Sequence, residues 1–424
     1  MPFQKEPAMT KSSERLLLLT LALIQFTHIV DFMILMPLGP QLMRLFSISP
    51  KEFGLLVSAY TFSAGICGFL SAFLVDRFDR KHILLVLYSG FILGTLACAL
   101  APSYPVLLVA RVLTGSFGGI LAAAVMAVIG DAIPMERRGS AMGIVTSAFS
   151  AASVLGVPLG LWLASLFDWH SPFLFLSGVS MGVFFLILKG IPSLKAHLTP
   201  SAPQQHPFQI LGDVFKNPPQ IWALILTVFM MIGQFAIIPF LSPSMVANVG
   251  FSEAQLTLIY LLGGATTLIT GPLIGKLADR YGKLKVLVLF FGLSIFPQFL
   301  ITHLGVTPLY LALLLSTSFF IVSGGRIIPA MALITGTVSP QRRGSFMSIQ
   351  SSVQQLSAGV ASLMAGMIVF KDAQGHLEHY GVIGWIAVIT TLACMGIAPQ
   401  LLKQAQEPVL KQPQETMARP ETGA

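Results

Sequence analysis

The hydrophobic pattern of this chain consists of long apolar runs separated by short polar clusters. A transmembrane helix needs about 20 apolar residues to cross the hydrocarbon core, and most of these runs are that long. We assign twelve of them, in two sets of six. The twelve runs are residues 15–40, 52–74, 82–100, 105–130, 139–165, 171–190, 219–243, 253–276, 284–303, 307–334, 343–370 and 379–402. The pattern therefore predicts an all-α polytopic membrane protein with twelve transmembrane helices, numbered here as the first to twelfth spans.

The polar segments divide the chain into five parts. We predict a cytoplasmic N-terminal segment at 1–14, a six-helix bundle at 15–190, a cytoplasmic linker at 191–218, a second bundle at 219–404 and a disordered tail at 405–424. The tail is rich in Gln, Glu and Pro, a composition that cannot bury a core. The first apolar run is full length and lacks a small-residue cleavage site, so we expect it to remain as the first span.

Two basic motifs occur once in each half of the chain. DRFDRK at 76–81 is matched by DRYGK at 279–283, and ERRGS at 136–140 is matched by QRRGS at 341–345. Both pairs lie about 200 positions apart, and two motifs that repeat in step indicate a duplicated unit. In such apolar surroundings the duplicated unit is expected to be half of a transporter, with two pseudo-symmetric bundles.

The charge of the chain orients it in a membrane. Only 10% of residues are charged, whereas soluble domains carry about 25%. The net charge of +8 comes from Lys and Arg at the cytoplasmic ends of the spans, if the N-terminus is cytoplasmic. The exceptions are Arg44, Lys51 and Lys371 on the outside and Arg111 and Arg326 within spans. This is the positive-inside rule, so the basic charge does not predict nucleic-acid binding.

The motifs together resemble the major facilitator superfamily over about residues 12–404. The likeness lies in DFMILMPLGPQL at 31–42, RVLTGSFGG at 111–119, SVLGVPLG at 153–160 with DWHSPF at 168–173, and the two DR loops. The chain is most similar to the twelve-span drug:proton antiporters and their sugar-efflux relatives. The resemblance implies a monomeric transporter. The multi-pass topology fits a bacterial inner membrane, and the charge pattern places both termini in the cytoplasm.

The DR loops follow the second and eighth spans. The resemblance implies that their charged residues contact neighbouring helix ends and lock one of the two access states; orientation alone would also explain the arginines. The second copy keeps the family's glycines Gly275 and Gly282, whereas the first has Ala72 and Asp79 at those places. The residues assigned to these cytoplasmic gate loops are Asp76, Arg77, Arg80, Asp279, Arg280 and Gly282.

The fifth span contains Gly156 and Gly160 on either side of Pro158. Glycines four residues apart place two bare backbone patches on one helix face, which allows another helix to approach closely, and the proline favours a bend. Close packing alone would explain the pattern. The resemblance adds that such a glycine–proline helix is typical of exporters and antiporters.

Asp31 is the strongest candidate for a functional side chain. A carboxylate inside an apolar span is expensive, so it usually faces a cavity or has a partner. His28 lies one turn earlier on the same helix face, and Arg111 in the fourth span is the natural cationic partner. Aligning the halves places Gln234 opposite Asp31, so only the first half has a titratable group there. We predict that Asp31, His28 and Arg111 couple transport to protons; a structural buried pair is the alternative for Asp31 and Arg111. For His28, a proton relay, substrate binding and a hydrogen bond across helices are equally open.

Polar residues in the second half suggest a substrate cavity. Arg326 lies within the tenth span and matches no motif; it suits an anionic group, a carbonyl or a position nearer the surface. Glutamines in the eleventh span suit hydrogen bonds to a polar solute, and helix–helix bonds equally well. The residues assigned to the cavity are Gln234, Arg326, Gln350, Gln354 and Gln355.

These observations predict a secondary active transporter for a small molecule, with protons as the coupling ion and the lipid bilayer as its surroundings. An enzyme or an ATP-driven pump is not expected, because the sequence has no GxxxxGK[ST] loop and no convincing nucleophile–base set. No cofactor or metal is predicted, and the external loop 371–379 is expected to be solvated. An importer of the same fold and a non-transporting sensor or scaffold are the alternatives.

Overall fold

The computed structural model describes residues 11–134, 137–194, 212–338 and 343–410, which are almost entirely helical. The first half contains the helices Lys11–Ile34, Gly39–Leu45, Pro50–Leu74, Arg80–Ala99, Tyr104–Ala132, Arg138–Thr146, Ala148–Ala151, Val157–Leu166 and Ser171–Gly190. A π-helical turn, Ala152–Gly156, joins the pieces of the fifth span, and a 3₁₀ turn, Val75–Arg77, follows the second.

The second half repeats this order. Its helices are Pro218–Phe235, Ile238–Ala247, Glu253–Tyr281, Lys283–Thr302, Leu309–Gly336, Arg343–Ile368 and Tyr380–Leu410, with strands Phe370–Lys371 and Leu377–Glu378. The last helix continues past residue 404, where the sequence predicts the tail to begin. Residues 411–424 and most of the linker, 195–211, lie outside the described residues.

Eleven of the described stretches are long and apolar enough to cross a membrane. The helix at the place of the eleventh span, Arg343–Ile368, is not one of them, because its glutamines and serines lower its hydropathy. Its 26 residues nevertheless make it about 39 Å long, more than the thickness of a hydrocarbon core. The all-α fold is therefore confirmed, and the least apolar helix packs inside the protein against the second span.

The first and seventh spans are broken at equivalent places, whereas the sequence analysis treats both as continuous helices. Helical backbone stops at Ile34 and restarts at Gly39, and it stops at Phe235 and restarts at Ile238. Proline lies in the first turn of each restarted helix, where its missing N–H costs no hydrogen bond. The outer pieces then run to residues 45 and 247, beyond the assigned ends of these spans.

The two halves contact each other along two pairs of spans. The second and eleventh spans approach closely, with Ser58 Oγ donating to the Gly359 carbonyl at 2.8 Å. The fifth and eighth spans meet where a Cβ on Gly264 would lie 2.7 Å from the Ser153 carbonyl oxygen. Both contacts put a glycine against the other half, so each interface depends on backbone-to-backbone packing.

Among the described residues, a continuous apolar core joins the halves at one end of the molecule and not at the other. This end carries the loops 46–49 and 248–252, and we call it the outer end, as the charge pattern predicts. There Phe53 packs edge-on against Phe240 at 5.9 Å, and Arg44 pairs with Glu253 at 2.7 Å. At the inner end, each half packs into a largely separate cluster.

A two-stranded hairpin forms part of the outer end, where the sequence predicts a solvated loop. Phe370 pairs with Glu378, and Lys371 pairs with Leu377. The hairpin is docked by Asn248, whose side chain donates to the Leu377 carbonyl at 2.9 Å and accepts from the Leu377 N–H at 2.7 Å. This amide-to-backbone pair ties the loop before the twelfth span to the end of the seventh.

Candidate functional site

Asp31 and Arg111 form a buried ion pair between the first and fourth spans. Arg111 Nη1 lies 2.8 Å from Asp31 Oδ2, and the two side chains are 1% and 0% exposed. Asp31 lies one turn before the break in the first span, so its own carbonyl is near the helix end. Arg111 Nη1 also donates to that carbonyl, at 3.3 Å. One guanidinium therefore holds both the carboxylate and the end of the helix.

Two further side chains complete the surroundings of the pair. Thr95, in the third span, donates from Oγ1 to the second carboxylate oxygen of Asp31 at 3.1 Å. Tyr60, in the second span, lies under the Arg111 guanidinium, with 4.3 Å from Arg111 Cζ to the ring centroid. The pair thus receives hydrogen-bond and cation–π stabilisation from two neighbouring helices, which compensates in part for desolvation.

The glycines after Arg111 allow this arrangement. A Cβ on Gly115 would collide with Ser63 Oγ and the Tyr60 carbonyl, and a Cβ on Gly118 would lie 2.7 Å from both His28 Cδ2 and Tyr60 Oη. Both residues are helical, so the requirement is for space and not for backbone freedom. The spacing of RVLTGSFGG therefore lets the second span and His28 approach the fourth span closely enough to enclose the ion pair.

His28 is buried beside the ion pair without a hydrogen-bond partner among the described residues. Its ring centroid lies 6.3 Å from those of Tyr60 and Phe91. Both ring nitrogens, Tyr60 Oη and Gln25 Oε1 lack a protein partner in the part of the chain described. Unpaired buried polar atoms are costly, so this group of side chains suits a solute or a proton-carrying water.

Aromatic rings link this site to the second half. Phe32 stacks on Tyr60 at 5.3 Å and lies 5.9 Å from Phe235. Phe32 follows Asp31, and Phe235 follows the half-buried Gln234 at the equivalent position of the seventh span. The two halves therefore meet, ring to ring, immediately beside the two helix breaks.

The glycine–proline segment of the fifth span packs on the first span. A Cβ on Gly156 would collide with Val30, and one on Gly160 would lie 2.5 Å from Ile34 Cδ1. Gly156 ends the π-helical turn, and Pro158 lies in the first turn of the next helical piece, so the bend and the close contact coincide. The residues contacted lie on either side of Asp31 in sequence.

Arg326 forms a second buried polar site, in the second half. Its side chain is 2% exposed and contacts Gln298 of the ninth span and Thr391 of the twelfth. The Gln298 amide satisfies its neighbours when its oxygen accepts from Arg326 Nη2 at 2.9 Å and its nitrogen donates to Thr391 Oγ1 at 3.1 Å. Within the described residues, no carboxylate lies within ion-pair distance of Arg326.

The structure does not unite the other assigned cavity residues with Arg326. Gln350 is buried and donates to Met331 Sδ at 3.3 Å, while its Oε1 has no partner among the described residues. Gln354 and Gln355 are half-buried along the same helix. The glutamines therefore line the eleventh span, separate from the contacts that hold Arg326.

The first DR loop is tied to its own half of the molecule. Arg80 Nε lies 2.6 Å from Asp131 Oδ2 at the end of the fourth span, and Arg80 also donates to the Val75 carbonyl at 2.7 Å. Lys81 Nζ donates to the Leu188 carbonyl of the sixth span at 2.7 Å. Arg77 is exposed, and the Asp76 side chain lies outside the described residues.

Asp79, which stands where the family has glycine, caps the third span. Its carboxylate accepts from the N–H groups of Lys81 at 3.0 Å and Leu194 at 3.1 Å, and from Ser193 Oγ. Burial raises the pKa of Asp79, but the hydrogen bonds from Ser193, Lys81 and Leu194 outweigh it and lower the pKa below its usual value. The departure from glycine thus pins the residues after the sixth span to this loop.

The second DR loop is open by comparison. Asp279 and Arg280 are both exposed, and the Arg280 guanidinium lies over the Tyr281 ring at 5.4 Å. Gly282 has φ +96° and ends the eighth span, a conformation that favours glycine. Arg77 and Arg280, at equivalent positions, are both exposed. The two copies differ in the residues that follow: Asp79 and Arg80 are buried, whereas Gly282 and Lys283 are exposed.

Several residues of these sites are missing from the sequence assignment. They are Thr95, Tyr60, Gln298, Thr391, Asp131 and Ser193. Threonine, glutamine and tyrosine are common in apolar helices, and nothing local distinguishes those that contact a distant charge. One signal is available for Gln298: aligning the two halves places it opposite Thr95, so equivalent positions of the third and ninth spans contact Asp31 in the first half and Arg326 in the second.

Comparisons with known proteins agree with this architecture. The sequence model of the Major Facilitator Superfamily matches residues 21–362 and 223–421. The uncharacterized MFS-type transporter YceJ of Bacillus subtilis (strain 168) is 26% identical over 382 residues, covering 87% of this chain and 92% of YceJ. A second such transporter of that organism, YwfA, is 28% identical over 388 residues, covering 89% and 90%.

Solved structures show the same fold. A D-xylose-proton symporter has a TM-score of 0.75 at 17% identity, covering 92% of this chain and 98% of that protein. A bacterial homolog of the human lysosomal transporter Spinster, in an inward-facing and unoccupied conformation, has a TM-score of 0.67 at 17% identity, covering 95% and 97%. At this level of identity the likeness concerns the fold alone.

Proposed function

The chain belongs to the major facilitator superfamily of secondary transporters, and we propose that it is a proton-coupled efflux antiporter for a small molecule, working by alternating access. The buried pair of Asp31 and Arg111 is the observation that carries this proposal. It lies where the first span breaks and where Phe32 meets Phe235 of the other half. A change of charge at Asp31 therefore acts next to a contact between the halves.

The proton step follows from the surroundings of Asp31. The ionised carboxylate is balanced by Arg111, so uptake of a proton leaves the guanidinium buried without a counter-charge. The protonated protein consequently favours another arrangement of the spans, which is how binding shifts a conformational equilibrium. In the proposed cycle Asp31 takes a proton from the outside and releases it to the inside. His28, beside the pair and without a hydrogen-bond partner among the described residues, is proposed to bind the solute or pass on the proton.

The seal at the outer end supports a specific state for this structure. Phe53, Phe240 and the Arg44–Glu253 pair close the halves together there, whereas the inner ends pack separately. We assign the structure to the inward-facing half of the cycle, with Asp31 ionised. The open second DR loop is consistent with a gate that is disengaged in this state. The antiporter-type interpretation of the fifth span is proposed from its glycine–proline pattern, since the close packing of Gly156 on Val30 fits ordinary helix packing equally well.

Untargeted mass spectrometry of the growth medium tests the proposal. Cells express the wild type, Asp31→Asn or the control Asp168→Asn, whose carboxylate is exposed at the outer end. Compounds enriched outside by the wild type and Asp168→Asn, but not by Asp31→Asn, would support proton-coupled export. The assay is run at equal amounts of membrane-inserted protein, so that a folding defect is not mistaken for a loss of coupling.

Other outcomes would reject parts of the proposal. Full export by Asp31→Asn would remove the role of Asp31. Compounds depleted from the medium by the wild type would show import, the main alternative for this fold. An unchanged medium, repeated with rich and minimal carbon sources, would favour a non-transporting protein.

A further inference from the structure

We propose that Arg326 binds an anionic group of the transported solute, so that the substrate class is organic or inorganic anions. This inference rests on the proposed function, because it names the substrate of the same transporter. Its starting point is a difference between the halves. The first half has a buried arginine paired with a carboxylate, and the second has a buried arginine whose contacts in the described chain are a neutral amide and a hydroxyl.

The partners of Arg326 satisfy only some of its hydrogen-bond donors and do not compensate its charge. Gln298 accepts from the guanidinium at 2.9 Å, and Thr391 Oγ1 lies 3.4 Å from Nη1. Neither carries a charge, and an amide cannot supply the electrostatic compensation that a carboxylate gives. Burying an ion without a counter-ion is strongly unfavourable, because the charge loses its hydration and gains no compensating attraction. Ionisable residues within transmembrane segments commonly mark substrate or ion pathways, where a ligand can supply the missing charge.

Unpaired atoms beside Arg326 point to an acceptor ligand. Arg326 Nε and Ser323 Oγ have no hydrogen-bond partner in the part of the chain described, and both are buried. Ser323 precedes Arg326 by three residues, so the two side chains share one face of the tenth span. A carboxylate or phosphate can accept from the guanidinium through two oxygens and from the hydroxyl at the same time.

Internal symmetry explains why the missing charge is expected from outside the protein. At the position equivalent to Asp31, the second half has Gln234, which is neutral. At the position equivalent to Thr95, it has Gln298, which contacts the arginine. Leu314 stands opposite Arg111, so Arg326 is a buried arginine at a different position of the tenth span, with an uncharged partner and with glutamine in place of the carboxylate at position 234. The proton and the anion would then occupy different halves, and both could be bound in one cycle.

The first test needs no knowledge of the substrate. We compare the thermal unfolding of the purified, ligand-free wild type, Arg326→Gln and Arg326→Lys in detergent. Glutamine can hydrogen-bond to Gln298 and Thr391 without a charge, so Arg326→Gln is expected to have the same Tm as the wild type or a higher one. Lysine keeps the uncompensated charge and gives no such gain. A Tm for Arg326→Gln that is well below that of the wild type would overturn the inference, because Arg326 would then be a structural anchor.

The second test uses the medium profiles described above. The solutes that the wild type transports are expected to carry an anionic group at neutral pH. Arg326→Gln is expected to reduce their transport by about tenfold or more, because it removes a charge-assisted hydrogen bond to the solute. The control Arg15→Gln changes an exposed arginine in the first turns of the helix Lys11–Ile34, outside the gate loops and the buried sites, and it should keep transport.

The two proposals fail in different ways. Neutral or cationic solutes, or normal transport by Arg326→Gln, would reject the anion site and leave proton coupling through Asp31 intact. Normal transport of anions by Asp31→Asn would reject proton coupling and leave the anion site intact. A medium unchanged by the wild type would reject both as statements about transport.

Discussion

The buried pair of Asp31 and Arg111 makes a quantitative prediction about stability. Its atoms are 2.8 Å apart, and with an effective dielectric constant of about 20 two unit charges at this distance attract by about 6 kcal/mol. Desolvation offsets much of this attraction, but removal of one partner leaves the other charge buried. We therefore expect Asp31→Asn and Arg111→Gln each to lower the free energy of unfolding by about 3–5 kcal/mol.

A double-mutant cycle separates the charge effect from the loss of packing. The double variant Asp31→Asn/Arg111→Gln buries no charge, and the amide introduced at position 31 can still accept from Thr95. The double variant is therefore expected to be more stable than either single variant, with an interaction energy of about 3 kcal/mol. The measurement is reversible unfolding of the purified protein in mixed micelles.

The Arg44–Glu253 pair at the outer end is a matched control. Its separation, 2.7 Å, is nearly the same, but its side chains are 66% and 27% exposed. Exposed pairs contribute about 0–1 kcal/mol, so the cycle on this pair should show little coupling. Equal coupling in the two cycles, or additive single effects at Asp31 and Arg111, would refute the reasoning from burial.

Two further predictions concern packing and pH. Gly156→Ala is expected to lower the free energy of unfolding by about 1–3 kcal/mol, because the new methyl group meets Val30, which is β-branched and cannot rotate away. The control Gly143→Ala has open space around it and should leave Tm unchanged or raise it. Thermal unfolding of the two variants checks both expectations. A lowered pKa for Asp79 means that its ionised form stabilises the fold above the usual aspartate pKa of about 3.9, and that this stabilisation is lost as the pH falls below that value. Asp79→Asn should therefore lower Tm at pH 7 and reduce the fall of Tm on acidification. If the Tm of the variant fell with decreasing pH as steeply as that of the wild type, this prediction would be wrong.

The positions of the spans could be predicted from the sequence because the bilayer imposes the same requirement on each of them. An apolar run of the right length must be helical in a membrane, since lipid offers no partner for an exposed backbone group. The pair of Asp31 and Arg111 could be predicted for a similar reason. Charged residues within the predicted spans are so few that Asp31 and Arg111 are the obvious partners for each other in the first half.

The breaks and the polar neighbours could not be predicted in the same way. Pro40 and Pro239 lie in the first turns of the restarted helices and could have indicated the two breaks, but prolines elsewhere, such as Pro243 and Pro272, lie within continuous helix. Thr95 bonds to Asp31 across 64 positions of sequence, and its hydroxyl resembles many others. Such contacts depend on how helices are rotated in the bundle, which hydrophobic patterns constrain weakly in a membrane.

The broken first and seventh spans bear on the mechanics of the transport cycle. Two bundles that rock as rigid bodies would keep the angle between the inner and outer pieces of each span constant. The breaks at residues 35–38 and 236–237 instead provide two places where changes in a few backbone dihedral angles can bend the span. The Arg111 bond to the Asp31 carbonyl and the Tyr380 bond to the Ile237 carbonyl would act as stops on those joints. Bending within the first and seventh spans could therefore close one entrance while the remaining helices keep their positions relative to one another.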